Sequence, residues 1–242
     1  MHLKKYIPNT ITLFNLICGS AAIILVIEGQ TVPAAAMIGM AAVFDFFDGF
    51  LARLLNVKSE IGKELDSLAD VISFGLAPAV FLFSLIRENI HAAGFSGFAE
   101  IFPYTALLIA AFSALRLAIF NLDTRQTESF LGLPTPANAL FIVSLSLISG
   151  KDAIQDAGII TLIADSLWFQ LILIPVSCAL LVTEIPLFAL KFNKGYSFSA
   201  NRLKYMLAIF TLITLFTLNW AALPLIVIFY ILLSLISGKE KF

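Results

Sequence analysis

Long apolar runs separated by short polar segments make up most of this chain, and this pattern predicts helices that cross a membrane. A helix needs about 17–25 residues to cross a hydrocarbon core of about 30 Å. Eight apolar runs approach that length, near residues 9–28, 32–55, 63–86, 102–122, 134–150, 168–190, 204–220 and 222–237. We therefore predict an all-α polytopic membrane protein with a single transmembrane domain over residues 1–242. Its last two spans are expected to form a tight hairpin, and Pro78 is expected to kink the third span.

The composition supports a membrane location and excludes one class of partner. Hydrophobic residues make up 60% of the chain, charged residues 13%, and the mean hydropathy is +0.98. An ordinary soluble domain has about 45–50% apolar and about 25% charged residues. The net charge of −1 argues against nucleic acid as the main partner, because phosphate binding needs a basic surface. Membrane lipids are the expected surroundings.

The amino-terminal segment and the two cysteines carry no clear chemistry. Residues 1–8 are basic and partly apolar, and both an interfacial segment and a disordered basic tip fit them. No cleavable signal is expected, so the first apolar run is predicted to be a permanent span. Cys18 and Cys178 lie inside apolar runs, where they are expected to act as small apolar side chains without a disulfide.

The distribution of lysine and arginine predicts the orientation of the chain. Basic residues collect in cytoplasmic loops and at helix ends facing them. Most of them lie on the side of the amino terminus, namely Lys4, Lys5, Arg53, Lys58, Lys63, Arg116, Arg125, Lys191, Lys194, Arg202, Lys204, Lys239 and Lys241. Arg87 and Lys151 lie on the other side. We expect both termini to be cytoplasmic.

Four aspartates interrupt the second and third apolar runs, at positions 45, 48, 66 and 70. An ionised aspartate at the centre of a bilayer costs at least about 2.5–3.5 kcal/mol, so four uncompensated ones cost roughly 10 kcal/mol. Helical spacing of about 100° per residue gives each helix one reactive face. The first face carries Asp45, Asp48, Gly49, Ala52 and Arg53, and the second carries Gly62, Asp66, Asp70 and Ser73. Two antiparallel helices would bring all four carboxylates to one depth.

Clustered carboxylates of this kind indicate a divalent metal site. Mg²⁺ and Mn²⁺ prefer carboxylate oxygens, and two such ions about 3.5–4 Å apart can assist a phosphoryl transfer. Gly49, Ala52 and Gly62 would let a base or a phosphate approach the backbone, and Arg53 would add a planar cation. The alternative from another class is a cation or proton-coupled transporter, in which the acids form an ion path. That alternative predicts acids on both sides of the membrane midplane.

The motif D-x-x-D-G-x-x-A-R-x8-G-x3-D-x3-D, which runs from Asp45 to Asp70, resembles the signature of the CDP-alcohol phosphatidyltransferases without a mismatch. The resemblance implies a six-helix core over residues 9–190, an additional hairpin at 204–237, and a homodimer. It implies that the metal ligands, for what would be two Mg²⁺ or Mn²⁺ ions, are Asp45, Asp48, Asp66 and Asp70. Asp70 would also serve as the catalytic base. The CDP pocket would be formed by Asp48, Gly49, Ala52, Arg53, Gly62 and Asp66.

Three further segments resemble the phosphatidylserine synthase branch of that family. They are S-F-G-L-A-P-A at 73–79, A-L-R-L-A-I-F-N at 114–121 and F-L-G-L-P-T-P-A at 130–137. The segment P-N-T-I-T-L-F-N at 8–15 resembles the first span of the family as a whole. This branch implies transfer of a phosphatidyl group from CDP-diacylglycerol to L-serine, with release of CMP. One position departs from the branch, because Ile119 stands where a second arginine is usual. No histidine lies near the motif, which agrees with a reaction without a covalent intermediate.

The acceptor pocket is less strongly specified than the metal site. Serine carries a carboxylate and an ammonium group, so it needs one cation and a few polar partners. The candidates are Arg116 for the carboxylate, with Ser73, Asn121 and Thr135 near it. In the alternative reading, Arg116 reaches to lipid headgroups or pairs with an aspartate, and Ser73 and Thr135 are packing residues. An acceptor such as glycerol 3-phosphate or inositol phosphate would need two or three cations, for which only Arg116 and Arg125 are available.

Overall fold

The computed structural model describes residues 6–57, 59–123, 130–149, 158–187 and 201–239, and this part of the chain is almost wholly helical. The helices are α1 (Tyr6–Ile27), α2 (Thr31–Leu54), α3 (Glu60–Asp70), α4 (Ala77–Ala92), α5 (Leu107–Leu122), α6 (Thr135–Ile148), α7 (Ile159–Ala164), α8 (Leu167–Val182), α9 (Arg202–Leu218) and α10 (Ala222–Lys239). A π-helical turn, Val71–Leu76, joins α3 to α4, and 3₁₀ segments at Gly97–Ala106 and Asn219–Ala221 lead into α5 and α10. Each of the eight predicted spans has a helical counterpart.

Five helical stretches in the described part are long and apolar enough to cross a membrane. They are Tyr6–Ile27, Thr31–Leu54, Glu60–Ala92, Gly97–Leu122 and Arg202–Ile236, the last of which contains the predicted hairpin. The helices α6 and α8 are shorter but also apolar. The prediction of an all-α polytopic membrane protein is therefore confirmed. Residues 1–5 of the amino-terminal segment lie outside the described residues, as do Lys58, Arg125, Lys151, Lys191, Lys194 and Lys241.

The third span lies at the centre of the bundle. In Glu60–Ala92, 67% of the apolar window is buried, against 33% or less in the other four stretches. The helix α6 packs against α4 and is also mostly buried. The helix α1 packs against α2, α3 and the π-helical turn, and α5 packs against the same turn and α8. The two cysteines are buried and free, so the prediction that they form no disulfide is confirmed.

A break in the regular helix separates α3 from α4, immediately after Asp70. The Ala77 N–H bonds to the carbonyl of Ile72, five residues back, which is the π-helical pattern. Pro78 has no N–H and cannot continue the regular ladder, but it is tolerated in the first turn of the following helix. The kink expected at Pro78 is thus a π-helical turn. This turn begins at Val71, directly after the last aspartate of the motif.

The sixth predicted span ends earlier than the sequence suggested. The helix α8 ends at Val182, eight residues before the predicted limit at 190. Beyond it Thr183 is extended, and β2 (Pro186–Leu187) pairs antiparallel with β1 (Phe130–Leu131). Gly132 has φ +74°, and a Cβ there would lie 2.7 Å from the carbonyl oxygen of Leu181. The segment after α8 therefore pairs with the segment around Gly132 and does not continue the helix.

Candidate active site

Three of the four motif aspartates meet where α2 and α3 pack against α1. One carboxylate oxygen from each of Asp45, Asp48 and Asp66 lies within 4.8 Å of the other two. Asp48 is buried, and the other two are half-buried. The strongest charged neighbours of Asp45 are Asp66 and Asp48 themselves. These three residues are called the carboxylate triple below, and a cation bound among them would relieve their mutual repulsion.

The helix α1 supplies hydrogen bonds to two motif aspartates. Thr12 Oγ1 donates to Asp48 Oδ2 at 2.6 Å, and Asn15 Nδ2 donates to Asp70 Oδ1 at 3.3 Å. Ser73 Oγ, in the π-helical turn, donates to the Asn15 carbonyl oxygen at 3.0 Å. The sequence of this helix resembles the family's first span, but it predicted no role for Thr12 or Asn15. The available signal was polar residues at three- and four-residue spacing in an otherwise apolar span.

Asp70 adjoins the carboxylate triple without joining it. It is 8% exposed, and Asp45 is the carboxylate that acts on it most strongly. It is the last residue of α3, and the π-helical turn begins directly after it. The Asn15 amide fixes one of its oxygens. Asp70 is therefore a buried carboxylate beside the triple, with one of its oxygens held by α1.

A cleft of about 360 Å³ opens beside the carboxylate triple. It is lined by Pro8, Asn9, Thr12, Asp48, Ala52, Val57, Ser59, Glu60, Gly62, Lys63 and Asp66. Four of the six predicted CDP-pocket residues are therefore in its wall. A Cβ on Gly49 would meet no atom within 4 Å, whereas one on Gly62 would lie 2.8 Å from Asn9 Oδ1. Arg53 is exposed in the last turn of α2 and is not part of the wall.

The candidate acceptor residues are not all in the same environment. Arg116 is 7% exposed, with its guanidinium 5.8 Å from the centre of the Phe120 ring. It interacts electrostatically with Asp70 and with Tyr230 of α10, and its Nε is buried without a hydrogen-bond partner. Its burial disfavours contact with lipid headgroups, whereas its interaction with Asp70 matches the other half of the alternative, pairing with an aspartate. Thr135 Oγ1 is also buried without a hydrogen-bond partner.

Two other predicted acceptor residues are engaged in helix contacts. Ser73 bonds to α1, as described above. The Asn121 amide donates to Ser67 Oγ at 2.8 Å, and its carbonyl accepts a bond from Lys63 Nζ at 2.9 Å. Asn121 therefore ties the end of α5 to α3. Ile119, at the position where the family branch has an arginine, is exposed on the outer side of α5.

The donor atoms of the triple fit a hard divalent cation. Oxygens that bind one Mg²⁺ at about 2.1 Å lie at most about 4.2 Å apart, so the observed spacing within 4.8 Å needs only small side-chain adjustments. Asp66 Oδ1 is buried without a hydrogen-bond partner, which leaves an acceptor available. No softer ligand takes part in the triple, so the donor set favours Mg²⁺ or Mn²⁺ over softer metals.

Comparison with known proteins agrees with this site. A family model described as CDP-alcohol phosphatidyltransferase matches residues 5–180. A CDP-diacylglycerol–serine O-phosphatidyltransferase from Bacillus subtilis is 36% identical over 142 residues, which cover 59% of this chain and 76% of that protein. Proteins of the same name from Mycobacterium leprae and Methanocaldococcus jannaschii are 32% and 34% identical, over 76% and 57% of this chain.

The matched regions cover 58% of the Mycobacterium and of the Methanocaldococcus protein, so this chain spans little more than half of their length. The family match contains all four aspartates, the cleft wall, Arg116 and Thr135, and it ends within α8. Because it covers well over half of the chain and the whole carboxylate site, this protein belongs to the CDP-alcohol phosphatidyltransferase family.

Proposed function

We propose that this protein transfers the phosphatidyl group of CDP-diacylglycerol to the hydroxyl of L-serine, which gives phosphatidylserine and CMP. The observation that carries the proposal is the carboxylate triple beside an open cleft, with Asp70 adjoining it. Relatives 32–36% identical are named for this reaction. The observation supports the chemistry of the family, and the segment resemblances support serine as the acceptor.

The proposed metal ligands are Asp45, Asp48 and Asp66, with Asp70 completing the set, for two Mg²⁺ or Mn²⁺ ions. Bound ions would neutralise charge on the donor phosphates and on the departing CMP. Thr12 holds the Asp48 carboxylate in place through its hydrogen bond. The cleft beside the triple is proposed to bind the CDP group, with Ala52 giving the nucleotide access to the backbone. Gly62 lies in the same wall, where the absence of a side chain makes room for Asn9, whose Oδ1 would lie 2.8 Å from a Cβ there.

Asp70 is proposed to be the general base. It would take the proton of the serine hydroxyl, and the serine oxygen would form a bond to the phosphorus that carries the diacylglycerol. The bond from that phosphorus to the CMP oxygen breaks, and CMP leaves with the electron pair. Asn15 orients Asp70 through the bond to Oδ1, which leaves the second carboxylate oxygen for the proton. Arg116 is proposed to hold the serine carboxylate.

The orientation and assembly of the protein are also proposals. We infer a location in the cytoplasmic membrane, with both termini and the carboxylate site facing the cytoplasm, from the distribution of basic residues. We infer a homodimer from the family resemblance alone. The division into a catalytic core over 9–190 and an additional hairpin is supported by the family match, which ends at residue 180.

The test of the function is CMP release by the purified protein in detergent with CDP-diacylglycerol. Mg²⁺ or Mn²⁺ is supplied, and serine, glycerol 3-phosphate, inositol phosphate or no acceptor is added in parallel. Release that depends on serine and on metal is expected. Asp66→Asn should abolish it, whereas Glu64→Gln, which changes an exposed carboxylate on the same helix, should not. CMP release with another alcohol and not with serine would refute serine as the acceptor. No CMP release from folded protein would favour the alternative function, cation transport.

A further inference from the structure

Buried polar atoms without hydrogen-bond partners are concentrated on three helices. In the described part of the chain, eight buried side-chain nitrogen or oxygen atoms lack a partner. Five of the eight lie on α5, α6 and α10, namely Ser113 Oγ, Arg116 Nε, Thr135 Oγ1, Asn138 Nδ2 and Ser234 Oγ. An unsatisfied buried polar group costs about 1–3 kcal/mol. This concentration indicates a polar ligand that supplies the missing bonds.

The helical spacing places each pair of these groups on one face of its helix. Ser113 and Arg116 are three residues apart on α5, and Thr135 and Asn138 are three apart on α6. Both helices pack against the π-helical turn that follows Asp70. The contact is close on the α5 side, where a Cβ on Gly75 would lie 3.0 Å from Ser113 Cβ.

The third surface comes from α10, which packs against α6. Tyr230 and Ser234 are four residues apart and therefore lie on one face of α10. Ser234 is fully buried, and Tyr230 interacts with the Ser234 hydroxyl through a side-chain contact and electrostatically with the Arg116 guanidinium. Arg116 also interacts with Asp70, so a single cation connects α10 to the proposed base. The helix α10 lies entirely beyond the residues matched by the family model.

Asp70 and Tyr230 lie at similar depths along their helices. A helical residue rises about 1.5 Å, so Asp70 lies about 15 Å from the start of α3 and Tyr230 about 14 Å from the end of α10. If successive spans alternate in direction, both of these helix ends are at the side of the bundle where the cleft opens. Arg116 lies about 9 Å from the end of α5, which alternation places at the same side.

We propose that α10 completes the acceptor compartment, with the Tyr230 hydroxyl donating to the carboxylate of an amino-acid alcohol beside Arg116, and Ser234 contributing to the polar wall. The inference rests on the proposed function and extends it to the carboxyl-terminal hairpin. A zwitterionic acceptor suits the compartment, because the guanidinium and the phenol donate to a carboxylate, and hydroxyl oxygens accept from an ammonium group. Tyr230 would then select for the carboxylate of the acceptor.

The test is the steady-state kinetics of Tyr230→Phe with serine as the varied substrate. A lost hydrogen bond to a charged group corresponds to about 1.5–3 kcal/mol, which is a rise in the KM for serine of about ten- to hundredfold. The KM for CDP-diacylglycerol should stay within about twofold, and so should kcat at saturating serine. Tyr104→Phe is the matched control, since Tyr104 is exposed at the opposite end of the bundle.

A second variant and a binding measurement separate the possible failures. Ser234→Ala should raise the KM for serine in the same direction, and serine should raise the unfolding temperature of the wild type more than that of Tyr230→Phe. An unchanged KM in both variants, with serine turnover by the wild type, would overturn the role of α10 and leave the proposed function standing. Absence of serine turnover by the wild type would overturn both.

Discussion

Two glycines on α2 allow an effect on folding to be distinguished from an effect on substrate binding. Gly49 and Gly39 are both helical, and a Cβ on either would meet no atom within 4 Å. Gly49 follows Asp48 beside the carboxylate triple, whereas Gly39 lies ten residues earlier in the helix. Alanine is more favourable than glycine inside a helix by about 0.5–1 kcal/mol. Neither substitution should therefore destabilise the fold.

We predict that Gly49→Ala lowers kcat/KM for CDP-diacylglycerol by about tenfold or more, because the added methyl group occupies space that the nucleotide needs. Such a loss corresponds to about 1.4 kcal/mol of transition-state binding. Gly39→Ala should keep wild-type kinetics. The measurement is CMP release at varied CDP-diacylglycerol, together with the unfolding temperature of each variant. Equal kinetics of the two variants would exclude a contact between Gly49 and the donor.

At the scale of single residues, the sequence predicted the charged residues of the site better than the side chains that form hydrogen bonds to them. The spacing of the aspartates on two helical faces led us to expect one cluster of four carboxylates, whereas in the structure Asp45, Asp48 and Asp66 form the triple and Asp70 lies beside it. Thr12 and Asn15 bond to aspartates 36 and 55 residues away in the chain. Local periodicity gives the face of a helix but not which neighbour that face meets, so these hydrogen bonds could not be derived from the residues alone.

The packing of α1 against the π-helical turn depends on a glycine. A Cβ on Gly19 would lie 2.6 Å from Ser73 Cα, which is a backbone atom that cannot yield without moving the turn. Asn15, one helical turn earlier, accepts from Ser73 and donates to Asp70. A displacement of α1 would therefore lengthen both hydrogen bonds and release the proposed base.

We predict that Gly19→Ala lowers the unfolding temperature and the rate of CMP release together, because one displacement weakens both the packing and the Asn15–Asp70 bond. The rate should fall by at least about tenfold, as is typical when a catalytic group is misplaced by a fraction of an ångström to 1 Å. Gly39→Ala serves again as the control for a helical glycine with free space around it. Wild-type activity at an unchanged unfolding temperature would show that α1 does not hold Asp70.

Among the elements, long apolar runs were predictable and irregular turns were not. Hydropathy located a helical counterpart for every predicted span, since a bilayer span requires a continuous apolar helix. The π-helical turn Val71–Leu76 and the early end of α8 at Val182 depend on contacts between distant segments, such as Gly132 against the Leu181 carbonyl. Proline marked the neighbourhood of both irregularities, at Pro78 and Pro186, without fixing their form.

Across the whole molecule, the reactive residues lie toward one end of the bundle. Asp48 and Asp66 line the cleft at the end of the bundle where Arg53 and Lys63 lie, and Asp45 and Asp70 lie deeper between the helices. At the other end the described residues form structural ties, in which Ser149 Oγ and Asn89 Nδ2 donate to oxygens of Asp165. An active site at one end of the bundle suits an enzyme that takes a soluble acceptor from one compartment. An ion path across the bilayer would need polar residues along the whole bundle, so this arrangement disfavours it.

The orientation can be tested by labelling two engineered cysteines. Glu60, at the start of α3, and Ala93, just after α4, are both exposed and lie at opposite ends of the bundle. The native thiols of Cys18 and Cys178 are buried and would be replaced to remove any background. In intact cells, a membrane-impermeant maleimide should label Ala93→Cys, and it should label Glu60→Cys only after permeabilisation.

This result is expected because basic residues collect in cytoplasmic segments, and in the described chain Arg53, Lys63 and Arg202 lie at the end opposite Arg87. An unfolding temperature close to that of the wild type, measured for each cysteine variant before labelling, would show that the fold is intact. The reverse labelling pattern would place the cleft outside the cytoplasm, where a water-soluble nucleotide product could not be recovered by the cell. Such a pattern would contradict the proposed topology even if the purified protein turned over serine.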